Sequence, residues 1–147
     1  MEEQTSKINK KKLFIFAIGG GLTFWVTSIL TSLLPIAEEY RAAYSNWSMQ
    51  TVWILSLPMG IIFGFLISYI FLRYFKKIPF KRTILKSGFV SLIICIAAIL
   101  LIDVPQSFGG TSNTPNILHF FFIGVIFNLV RFLLLGIAIG YLSNKKI

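Results

Sequence analysis

Asn128 and Arg131, inside the last apolar stretch of the chain, carry the strongest chemical signal in this sequence. Three residues apart, they share one face if that stretch is helical. A guanidinium stays protonated and offers five donors, so in apolar surroundings it needs oxygen partners or an anion. Placing it inside a bilayer costs at least ~2.5–3.5 kcal/mol. The pair therefore suits a polar cavity for an anionic group, a substrate or a lipid headgroup. The competing reading is structural: Arg131 snorkels inward to the basic end of its helix and locks the bundle.

Other reactive groups are few. Glu38 and Glu39 are adjacent carboxylates, His119 is the single imidazole and Cys95 the single thiol. Acid–base or nucleophilic chemistry needs such groups in mutual reach, and nothing in their spacing supplies it, so the chain is not expected to be an enzyme. The Glu-Glu-xxx-Arg order of intramembrane CAAX-processing proteases is absent, because Ala43 stands at the arginine position. The membrane-embedded glutamate of small multidrug resistance pumps is absent from the first apolar run. Five acids and one histidine give no metal-binding spacing, and no cofactor is expected. Cys95 reads as a small buried apolar side chain, and His119 as part of an interfacial aromatic belt with residues 120–122.

The elements that position these groups follow from composition. The 147 residues are 56% hydrophobic and only 13% charged, with a mean hydropathy of +0.80. Soluble domains carry about 25% charged residues, so a water-soluble globule and a disordered chain are both excluded. Runs at 13–34, 49–72, 84–102 and 117–142 are long enough, at about 1.5 Å per residue, to cross a ~30 Å hydrocarbon core. Lipid satisfies no backbone hydrogen bonds, so each run is expected to be helical. The first run exceeds the usual length of a signal-peptide core and is expected to remain as a helix.

Residues 1–147 are thus expected to form a single all-α domain, an integral membrane four-helix bundle of two antiparallel hairpins. Ile36, Tyr40, Tyr44 and Trp47 recur at helical spacing in the first connection. They predict a short amphipathic interfacial helix between helices 1 and 2, with Glu38, Glu39 and Arg41 toward water or the bundle mouth. Residues 103–116, rich in Pro, Gly, Ser, Thr and Asn, read as an irregular loop.

Twelve of the fourteen basic residues flank the runs on one side, four before the first, six between the second and third and two after the last. Arg41, with Glu38, Glu39 and Asp103, falls on the other side. By the positive-inside rule the N- and C-termini are expected in the cytoplasm of a cell (plasma) membrane. The basic flanks are matched to anionic cytoplasmic headgroups of the lipid bilayer rather than to nucleic acid.

Helices in lipid associate through small residues and polar contacts. Gly60, Gly64 and Ser68 in the second run, and Gly136 and Gly140 in the fourth, are the expected packing positions. The two hairpins are nearly equal in length, and 64–69 echoes 136–141 (GFLISY and GIAIGY), which raises a tandem repeat about an axis along the membrane normal. Two functions follow as expectations. The first is a non-enzymatic accessory or structural membrane component. The alternative is an oligomeric transporter or a ligand- or lipid-binding module using Arg131 and Asn128, with a homodimer or a partner membrane subunit completing it.

Overall fold

The computed structural model describes residues 9–44, 48–109 and 116–145, and no strand occurs among them. Its helices are α1 (Lys10–Ser32), α2 (Pro35–Tyr44), α3 (Met49–Tyr74), α4 (Thr83–Ala98), α5 (Val104–Phe108) and α6 (Ile117–Asn144), with a π-helical turn (Ile99–Asp103) between α4 and α5. Lys10–Ser32, Met49–Tyr74, Thr83–Phe108 and Ile117–Asn144 are each long and apolar enough to cross a membrane. The protein is a multi-pass, all-helical bundle.

Side-chain caps mark the starts of α1 and α3. The Asn9 side chain accepts from the amides of Lys11 and Lys12 at 3.1 and 3.3 Å, and Ser48 Oγ accepts from Thr51 N at 3.2 Å. The four long helices alternate in direction, so α1 begins and α6 ends at the same end of the bundle. α1 packs most extensively on α3, and α4 on α6, forming the two hairpins; α1 and α6 join them, whereas α3 and α4 touch much less. A two-fold axis relating the hairpins would make the α1/α6 and α3/α4 seams equal. Their inequality limits any repeat to loose quasi-equivalence.

On α1 the buried face is rich in small and hydroxyl residues, with Phe16 and Phe24 packed among them. Phe14, Ile18, Leu22, Val26 and Leu30 form one exposed stripe on α1, while Gly20, Gly21, Thr27, Ser28 and Thr31 are buried. Lipid solvates large apolar side chains, so close backbone approach at small residues replaces the hydrophobic driving force. A Cβ on Gly60 would stand 2.7 Å from the Gly21 carbonyl oxygen, and one on Gly64 would strike the Ala17 carbonyl. Gly136 and Gly140 face Ser87, Gly88, Ser91 and Ile84 of α4 in the same manner. Ser91 Oγ donates to the Phe132 carbonyl across that seam. Ser68 is fully buried, and among the described residues its hydroxyl has no hydrogen-bond partner.

Residues 103–108 correct the sequence expectation of a loop from 103 onward. Val104 N–H bonds to the carbonyl of Ile99, five residues back, and Pro105 supplies no amide, so the helix widens rather than stops. The widened turn delays the inward-facing position by one residue. Ile102 is exposed, and Asp103 is turned toward α6.

Candidate functional site

The Arg131 Cα lies near the middle of α6, about 21 Å along the axis from Ile117 by helical rise. Side chains lean toward the N-terminus of their helix, here the end of the bundle away from the termini. The guanidinium accordingly reaches outward and donates from Nη2 to Thr31 Oγ1, near the end of α1, at 3.1 Å. This overturns the expectation of an inward snorkel to the basic end. Its Cζ lies 5.9 Å from the Phe127 ring centroid, and its Nε is buried with no hydrogen-bond partner among the described residues.

Asn128 does not bond Arg131. It donates from Nδ2 to Asp103 Oδ2 at 2.6 Å. Through Asn128, one turn from Arg131, α6 thus holds the Asp103 carboxylate, whereas Glu38 and Glu39 are exposed on α2. Among the described residues, no carboxylate comes within 4 Å of Arg131 or Arg41, so neither guanidinium is neutralised by a direct ion pair. The signal for Asp103 was present in the sequence as an acid at the end of an apolar run, but regular helical periodicity points that position toward lipid.

α2 roofs this end of the bundle. Arg41 donates from Nη1 to the Ser32 carbonyl at 3.2 Å, where the negative end of the α1 dipole favours a cation. Tyr44 Oη and Ser107 Oγ are hydrogen-bonded at 2.9 Å, tying the roof to α5. Tyr40 lies edge-on to Phe127 at 5.9 Å and directly over Gly124, where a Cβ would be 2.8 Å from its hydroxyl. Burial pushes the Tyr40 phenol up to about 12, with Asp103 and Tyr44 adding to the rise and Arg131 opposing it. It therefore stays a neutral hydrogen-bonding group at ordinary pH.

Beneath α2 lies a cavity of about 180 Å³ lined by Ser32, Ala37, Tyr40, Arg41, Tyr44, Val52, Gln106, Phe127 and Arg131. Two guanidiniums, two phenols and an amide converge on it. Below it the bundle is closed by three mutually packed rings, Phe24, Phe63 and Phe132, with centroids 4.9–5.9 Å apart. Deeper still, Ile67, Phe71, Leu135 and Ile139 are fully buried. The cavity is a pocket with a floor.

The other residues singled out from sequence fall elsewhere. Cys95 is fully buried, and His119 is exposed at the start of α6 with its ring against Phe120. Trp47 lies outside the described residues. A partner for the α1 terminus that sequence reading missed is Trp53, whose Nε1 donates to Ser32 Oγ at 2.7 Å; its carbonyl accepts from Trp25 Nε1 at 2.9 Å. Among the described residues no group of His, Cys, Asp and Glu is arranged to hold a metal ion. No family model, no curated protein and no solved structure matches the chain.

Proposed function

We propose that this chain is a non-enzymatic membrane protein that binds an anionic group in the pocket under α2. The observation that carries the reading is Arg131: it reaches into a cavity shared with Arg41 and, among the described residues, makes one hydrogen bond, to a neutral hydroxyl, with no carboxylate in direct contact. A guanidinium used only to lock helices would have its donors spent on carbonyls or on an acid. Tyr40, Tyr44 and Gln106 add hydrogen-bonding groups at the rim.

Of the two sequence expectations, this favours the binding module over the purely structural component. Within that module it favours binding over transport by one chain, because the ring cluster of Phe24, Phe63 and Phe132 closes the path below the pocket. With the basic flanks in the cytoplasm, as the positive-inside rule places them, the pocket opens toward the outer leaflet of the cell membrane. Calorimetric titration of the full chain in nonionic detergent with dimethyl phosphate tests the reading. Saturable binding at one site per chain, lost in Arg131→Met and weakened at least tenfold in Arg41→Gln, supports it. Absence of binding to the unmodified chain overturns it.

A further inference from the structure

Asp103 sits beside this pocket without lining it, and its position bears on which anions the pocket accepts. Its carboxylate is held from behind by Asn128, one turn from Arg131 on the same face of α6. The other titratable side chains at the pocket are Tyr40 and Tyr44 on α2, and buried Cys95 lies along α4 below; burial keeps the Tyr40 phenol neutral at ordinary pH. Glu38 and Glu39 are turned to the exposed side of α2. Two positive charges and one negative charge thus govern the local field, an excess of a single positive charge.

Resting on the anion-binding reading above, we infer that Asp103 sets the charge selectivity of the pocket, so that it takes a singly charged oxyanion such as a phosphodiester and discriminates against doubly charged ions. One negative charge brings the pocket to neutrality. A second would lie unmatched in a low-dielectric site beside the Asp103 carboxylate, where like charges repel strongly. The cavity of about 180 Å³ admits a group of phosphodiester size. That chemistry is common to a soluble phosphodiester and to the headgroup of an anionic phospholipid.

The test compares dimethyl phosphate with sulfate on the full chain in nonionic detergent, by calorimetric titration, for the unmodified protein and for Asp103→Asn. The unmodified protein is expected to favour dimethyl phosphate by at least tenfold, and D103N to lower that ratio at least tenfold by accepting sulfate. A change in the ratio separates a charge effect from loss of folding, which would weaken both ions equally. If D103N does not fold, Asn128→Ser is the second variant: it frees Asp103 from its tether, and the ratio is expected to shift while dimethyl phosphate still binds. In nanodiscs, phosphatidylglycerol competing with dimethyl phosphate identifies a headgroup as the source, and lack of competition identifies a soluble ion. Sulfate favoured by the unmodified protein, or a ratio unmoved by both variants, overturns this inference and leaves the anion site standing. Neither ion binding to the unmodified protein overturns the anion site itself.

Discussion

Replacing Arg131 with methionine separates a binding arginine from a structural one. The favourable contacts of the resting side chain are one charge-assisted hydrogen bond to Thr31, about 1.5–3 kcal/mol, and a long cation–π contact at 5.9 Å, about 0.5 kcal/mol. Against them stand about 2.5–3.5 kcal/mol for holding the charge in the membrane and about 1 kcal/mol for the buried, unpartnered Nε. The balance is a deficit of about 1 kcal/mol. Arg131→Met is therefore expected to leave the anion-free protein as stable as before, or more stable by about 1 kcal/mol. Saturating dimethyl phosphate at about 100 times its dissociation constant should stabilise the unmodified protein by about 2.7 kcal/mol and the variant not at all. Reversible unfolding in mixed micelles, with and without the anion, reads both quantities. A variant destabilised by more than about 2 kcal/mol without anion, and still stabilised by the anion, would refute the reasoning and make Arg131 a lock.

Four further outcomes follow from the packing and the burial of Tyr40. Gly60→Leu should destabilise the α1/α3 hairpin by more than about 2 kcal/mol because Gly21 backbone lies under its Cβ, whereas Gly88→Ala, which meets nothing within 4 Å, should be neutral or stabilising by up to about 1 kcal/mol; unfolding midpoints check both. Asn128→Ala removes the donor to Asp103 and should cost about 1.5–3 kcal/mol, measured the same way. The folded protein holds the Tyr40 proton up to about pH 12, above the ~10 of an unfolded tyrosine, so stability is full below about pH 10 and is lost as pH rises toward 12. Tyr40→Phe should lack that alkaline loss, as unfolding curves of the two proteins across this pH range will show.

The long apolar runs made the four-helix architecture readable before any coordinates, because lipid leaves the backbone no alternative to helices. Spacing alone also picked out the glycines now found at the seams, since close approach requires a missing Cβ. The site was less legible. Arg131 stood out as a charge in an apolar run, but its direction depends on the lean of side chains toward the start of α6, and its setting depends on α2 folding back over it. Asp103 was hidden by the π-helical turn, which no periodicity pattern announces, and so the bond from Asn128 was missed as well. For Arg41 the helical stripe of α2 indicates only a position facing water or the bundle mouth. Its place in the pocket is set by contact with the end of α1, nine residues earlier in the chain.

The most direct test of the central claim observes the Arg131 guanidinium while the pocket fills. Nitrogen-15 labelling of arginine, with the Arg131 side-chain resonance assigned by its loss in Arg131→Lys, allows its Nε–H signal to be followed through a titration with dimethyl phosphate. A saturable downfield shift and slowed hydrogen exchange are expected at Arg131, with a smaller response at Arg41. A signal that stays fixed through the titration, with exchange unchanged, would contradict the claim.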